Sequence, residues 1–175
     1  MKKLITIAFS IIGMVMNAQD YGTVYGKRNK LNYLFLSVSA DARHLVEGSK
    51  QTEYKEELDL ITKAGIVSNN VEIGVFYETF HRLNFQAYGV NVGYIIMPLN
   101  KTDLYLGLEG SSIIRYSNSS TFSYGLNGAI RQHINKYIIV FINSNYRYRS
   151  DIHYKDTPAP FRLSGEIGVI LKLDR

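Results

Sequence analysis

The chain has neither cysteine nor tryptophan among its 175 residues. Without cysteine there is no disulfide, no zinc–thiolate site, no thiol nucleophile and no lipid anchor carried on a thiol. Beyond the first 20 residues there is no long apolar run either. A membrane-spanning helix needs about 20 consecutive apolar residues, so a helical membrane protein is excluded. Basic runs are missing as well. The net charge of +5 is spread over single Lys and Arg residues, and Lys2 and Lys3 lie in the leader. A nucleic-acid partner is therefore not expected. Low-complexity tracts, a long linker and a phosphate-cradling glycine loop are all absent. From Asn32 onward helical period is almost absent too.

Present instead is a leader, "MKKLITIAFSIIGMVMNAQD". Two lysines, an apolar run from Leu4 to Met16 and small or polar residues after it form an export signal. The expected cut follows Ala18, so residues 1–18 read as a signal peptide and 19–31 as a polar lead-in. One domain, 32–175, remains.

That domain alternates. In "YIIVFINSNYRYRSD", one set of alternate residues is Ile138, Val140, Ile142, Ser144, Tyr146 and Tyr148, without charge. The other becomes polar and then cationic, ending in Asn143, Asn145, Arg147 and Arg149. Period-two stretches predict strands near Tyr33–Leu45, Val71–His81, Phe85–Met97, Asp103–Tyr116, Phe122–Ile134, Tyr137–Asp151 and Phe161–Asp174. An eighth lies in the tail of "SKQTEYKEELDLITKAG", where Leu58, Leu60, Thr62 and Ala64 alternate with Glu57, Asp59, Ile61 and Lys63.

Sorted by parity, every strand has a face free of Asp, Glu, Lys and Arg. The opposite face carries the charges together with small residues such as Gly74, Gly93, Gly107 and Gly168. Eight such antiparallel strands fit two objects. A soluble barrel turns its apolar face inward, and a transmembrane barrel turns it toward lipid. The aromatic residues decide between them. Tyr77, Tyr88, Tyr116, Phe122, Tyr124, Tyr146, Tyr148 and Phe161 all fall at one rim of the apolar face, and amphipathic rings collect there at a membrane–water interface. The fold expected is all-β, an antiparallel up-and-down transmembrane barrel. Its lumen charge network would comprise Arg43, Glu72, Glu109, Arg131, Arg147, Arg162 and Glu166. With "SNSS" as the tip of a hairpin, Tyr116 would pair with Phe122, setting Glu109 opposite Ala129 and one diagonal step from Arg131. Glu109 would then accept from Arg131 or from another lumen arginine, with Asn91, Gly107 and Asn143 leaving space around them.

The leader, the strand pattern and the aromatic rim together resemble the small outer-membrane barrels of the OmpA-transmembrane and OmpX-like kind, over Asn32 to Arg175. The resemblance implies periplasmic termini, an outward-facing tyrosine rim and location in a Gram-negative outer membrane. It also implies membrane lipid and the outer-membrane insertion machinery as partners. "FRLSGEIGVILKLDR" looks like the terminal strand that machinery reads, although it ends in Leu173-Asp174-Arg175 where the family has an aromatic residue.

Some barrels of this kind modify lipids. Their chemistry needs a serine and a histidine near the outer rim. His44, His81, His133 and His153 are the histidines, and nothing in their spacing fixes a contact with Ser112, Ser117 or Ser150. "DIHYKD" matches no metal-ligand spacing. The expected function is a non-enzymatic envelope barrel with a lumen filled by side chains, for structure, surface interaction or limited small-molecule passage, with no cofactor. A lipid-modifying enzyme and a soluble periplasmic ligand-binding barrel are the alternatives.

Overall fold

A computed structural model of the chain describes residues 31–42, 59–80, 84–99, 101–115, 121–150 and 161–173. The leader, Arg43, His44, His81, Tyr116, Ser117 and His153 lie outside them. Eight antiparallel strands follow one another around a closed barrel. They are β1 (Asn32–Asp41), β2 (Leu60–Ser68), β3 (Val71–Phe80), β4 (Phe85–Leu99), β5 (Thr102–Ile114), β6 (Thr121–His133), β7 (Ile138–Arg149) and β8 (Phe161–Leu173). β8 pairs back onto β1, so the sheet has no open edge.

The second strand starts at Leu60 and runs on through "GIVS" to Ser68. It ends in a two-residue turn, Asn69–Asn70, with φ of 50° and 69°. A tight hairpin of this kind needs two left-handed residues, which asparagine tolerates. The turn is pinned by side chains, because Asn32 Oδ1 accepts from Asn69 N and Asn70 Oδ1 accepts from Leu31 N.

The two ends of the barrel differ. At one, the strands are joined by residues 69–70, 100–101 and 134–137. At the other, the connections are 42–59, 81–84, 115–120 and 150–160.

The register gives the stagger. From Asn32 the partners run Ser68, Val71, Tyr94, Leu106, Gly128, Ser144 and Gly165. Gly165 adjoins Glu166, the partner of Asp41, so the path returns to β1 at position 42, ten residues above its start at 32. Ten residues of about 3.3 Å rise against eight strands about 4.8 Å apart give a tilt near 40°. That lies in the usual barrel range and leaves an interior just wide enough for side chains.

Parity divides the residues as the alternation demands. Leu36, Val75, Val90, Leu106, Leu126 and Leu163 point outward and are 48–67% exposed. Asp41, Glu72, Glu78, Asp103, Glu109, Arg131, Arg147 and Glu166 point inward and are buried.

The inward face is less polar than its charges suggest. Tyr33, Phe35, Val67, Ile95, Tyr105, Ala129, Ile139, Phe141 and Ile170 form one buried cluster. Most lie in the half of their strands nearest the short turns. A second cluster, Phe80, Phe85, Ala87 and Ile113, lies at the opposite end.

Rings need room in so narrow a lumen, and glycine supplies it. Phe35 lies against Gly65 and Gly74, Tyr105 against Gly93 and Gly107, and Phe141 against Gly168. Several small lumen residues thus make space for rings as well as for long charged chains. At Gly93 an added Cβ would meet both the Tyr105 ring and the Leu106 carbonyl. Overpacking of a filled interior costs about 1–3 kcal/mol. Gly93→Val is therefore expected to lower the urea midpoint of the barrel in detergent micelles, and Gly128→Val, on the outward face, to leave it nearly unchanged.

Candidate functional site

Among the described residues, buried charge is concentrated in the lumen, in layers that run up from the short-turn end.

At that end Asp103, on β5, and His133, on β6, meet with Oδ2 and Nε2 2.6 Å apart. Lys172 Nζ, from β8, lies 3.0 Å from His133 Nδ1. Both ring nitrogens are thus engaged, and neither by a serine. Ser150, one of the candidate nucleophiles, bonds instead to the backbone N–H and carbonyl of Phe122. Ser112 lies opposite Phe122 on the outward parity. Among the described residues no histidine bonds to a serine.

The next layer pairs Arg131 with Glu72, Nη1 donating to Oε2 at 2.6 Å. The guanidinium also covers the Tyr105 ring, 4.2 Å from its centroid. Asn91 Nδ2 donates to Glu72 Oε1 at 3.2 Å and to Tyr105 Oη at 3.1 Å. Asn91 therefore fills the lumen, contrary to the expectation that it leaves space. Asn143 does the same, its amide donating to Asn145 Oδ1 at 2.9 Å.

Above lies Arg147, which gathers three carboxylates. Its Nη1 donates to Glu78 Oε2 at 2.5 Å, its Nε to Glu109 Oε1, and its Nη2 is 3.5 Å from Glu166 Oε1. The carboxylates have further donors. Asn127 Nδ2 bonds Glu109 at 3.2 Å, Ser39 Oγ bonds Glu166 at 3.0 Å, and Asn145 also donates to Glu166.

The expected pairing of Glu109 with Arg131 is overturned, while the alternative of another lumen arginine matches the geometry. Phe122 pairs with Ser112 in place of Tyr116, which sets Glu109 opposite Gly125 and Arg131 opposite Asp103. The strands are offset by four residues from the expected register. An even offset leaves every side chain on its face, so parity could not detect it.

Over Arg147 the lumen opens into a cavity of about 240 Å³ at the end with the long connections, lined by Asp41, Asp59, Glu78, Glu166, Arg149 and Arg162 among others. Arg162 is exposed there, and Arg43 falls outside the described residues. Of the expected network, Glu109, Arg147 and Glu166 form one cluster, and Arg131 and Glu72 another. Glu78, the third carboxylate on Arg147, shares the inward parity but is not part of the expected network.

On the outer face, Phe122, Tyr124, Tyr146, Tyr148 and Phe161 form one patch across β6, β7 and β8, with neighbouring ring centroids 5.0–6.2 Å apart. Tyr77 and Tyr88 are cross-strand partners on β3 and β4. All seven lie toward the end with the long connections. Tyr94 lies nearer the short turns, and Tyr137 is in one of those turns, exposed, with Lys136 Nζ 4.3 Å from its ring centroid.

No family model matches the chain, and no curated protein sequence does. Among solved structures, a de novo designed transmembrane β-barrel aligns with a TM-score of 0.53 at 12% identity, over 84% of this chain and all of that one. The Yersinia pestis outer membrane protein Ail, in a phospholipid bilayer nanodisc, aligns with a TM-score of 0.53 at 12% identity, over 82% of this chain and all of Ail. The designed barrel TMB2.3 gives 0.50 at 8% identity, over 85% of this chain. The fold resembles that of the small transmembrane barrels. At these identities the likeness carries the architecture and nothing finer.

Two outcomes test the site. Glu109→Ala and Arg147→Ala are expected to couple by about 0.5–3 kcal/mol in a double-mutant cycle, and Glu109→Ala with Arg131→Ala to add within about 0.5 kcal/mol. Urea unfolding in micelles measures both. The second concerns Asp59, just before β2. Burial, followed by the charges of Glu78 and Asp41, raises its carboxyl from 3.8 to about 7, with Arg147 opposing. Between those values the folded state binds more proton at Asp59 than the unfolded one, so the contribution of Asp59 to stability falls as pH rises from about 4 to about 7. Asp59→Asn is expected to flatten that part of the stability profile.

Proposed function

We propose that the protein is a non-enzymatic β-barrel of a Gram-negative outer membrane, held in the bilayer by its apolar outer face, with a lumen filled by side chains. The observation that carries this reading is the inversion of polarity. Leu163 is 67% exposed and Leu106 61%, while Glu166 is 1% exposed and Glu72 2%. In water that arrangement would expose a continuous apolar surface far larger than soluble proteins show. In lipid it is the favourable one, because a closed ladder satisfies every strand N–H and C=O internally.

Strand length supports the same reading. The strands run from 9 to 15 residues, and a tilted strand needs about 9–11 to cross a bilayer. Lipid would contact the apolar belt, with the ring patch at the headgroup level. The outer-membrane insertion machinery would act on β8, and the leader would be removed after export. The connections 42–59 and 150–160 would then emerge on the aromatic side, where a surface interaction would be made. A soluble ligand-binding barrel is disfavoured because its ligand would face carboxylates and guanidiniums already committed to one another. The charge layers also argue against free passage through the lumen.

The test is envelope fractionation, followed by reconstitution. The protein is expected in the outer-membrane fraction, soluble only with detergent, with a gel band that shifts on boiling. In planar bilayers it is expected to show no steady open-channel current. Recovery as a folded monomer without detergent would refute the lipid-facing assignment, and sustained conductance would refute the filled lumen.

A further inference from the structure

We propose that the lumen holds an ordered water molecule between Lys63, Arg131 and Asn143. The three line a cavity of about 20 Å³ with Ser37, Glu72 and Ala129. That is room for about one water, which needs two to four polar partners.

Two of these side chains have a buried polar atom without a partner. Arg131 is 5% exposed, and its Nη1 bonds Glu72 while its Nε–H bonds nothing. Asn143 is 3% exposed with Oδ1 unpaired. Its amide cannot be turned over to remove the problem. Nδ2 is committed to Asn145 Oδ1, and Asn145 in turn gives its own Nδ2 to Glu166. Lys63 makes no ion pair among the described residues, and its Nζ has only the Phe76 ring, 5.8 Å away.

A buried donor and a buried acceptor on one small cavity, with the half-buried Lys63 also lining it, describe a water site. The oxygen accepts from Arg131 Nε and Lys63 Nζ. One hydrogen is donated to Asn143 Oδ1 and the other to Ser37 or Glu72. A halide would also accept from the two cations. It would, however, face the Asn143 carbonyl oxygen and the Glu72 carboxylate, both of which repel it. The same water explains why Lys63 and Glu72 line one cavity without direct contact, since one molecule can bridge them.

The experiment is nuclear Overhauser spectroscopy on isotope-labelled protein in lipid nanodiscs, read at the Arg131 Nε–H resonance. A cross-peak to the water frequency is expected, unchanged when chloride is replaced by methanesulfonate. Ala129→Val, which fills the cavity, should remove it while the Arg131–Glu72 pair persists. A resolved Nε–H resonance without a water cross-peak would overturn the proposal. So would a chloride-dependent shift, which would mark an anion site, or exchange broadening, which would mark bulk solvent. The readout on the unmodified protein decides the matter even where the valine variant does not fold.

Discussion

Everything inside this protein depends on the closure of eight strands at a stagger of ten residues. Closure leaves a lumen only as wide as the side chains that fill it. The outward parity is taken by apolar residues, so nearly every charge on the strands must enter that space. An isolated buried charge is costly, and it persists only when paired and hydrogen-bonded. The interior is therefore a set of paired layers, and the identity of each inward residue is set by its neighbours across the lumen.

Arginine suits this space for a geometric reason. Its guanidinium carries five N–H donors in a rigid fork, whereas lysine offers one compact charge. Arg147 uses three directions for three carboxylates from three strands, Glu78 on β3, Glu109 on β5 and Glu166 on β8. Arg131 uses an edge for Glu72 and a face for Tyr105. Asn91 takes the Glu72 oxygen that Arg131 leaves over and Ser39 the Glu166 oxygen that Arg147 leaves over, while Asn127 and Asn145 each share a carboxylate oxygen with Arg147. The rings beneath them fit because glycine lies at the contact, as where Tyr105 covers Gly93.

Strand number, order and facing were legible in the sequence because they rest on a period of two that a single strand displays by itself. Val71–Phe80 shows it in ten residues, with Glu72 and Glu78 on one parity and Ile73 and Val75 on the other. Pairing was not legible to the same degree. Any even slip of β5 against β6 preserves the faces, so Tyr116 opposite Phe122 looked as acceptable as Ser112 opposite Phe122. The partners of Glu109 followed from that register and shifted with it. The Asp103–His133–Lys172 contact was hidden for a related reason, since it crosses from β6 to β8 over the lumen and no local pattern records it. The aromatic layer was recoverable in principle: Phe35, Tyr105 and Phe141 share the parity of the charged residues, and their large side chains indicate which glycines lie against them.

The order of the layers bears on what the barrel can do. From the end with the long connections, the open cavity has Arg147 and its carboxylates as a floor. Below come the Arg131–Glu72 pair and then the apolar cluster around Ile95 and Ile139, both fully buried. A permeating ion would have to displace a guanidinium from three carboxylates and then pass the buried rings and aliphatic side chains packed beside the Asp103–His133–Lys172 contact. Conducting filters avoid both obstacles by offering weak, repeated sites. On the proposed reading, the interior holds the barrel in one arrangement. On that reading the rim, where aromatic rings and the two longest connections share one end, is where a partner would be met.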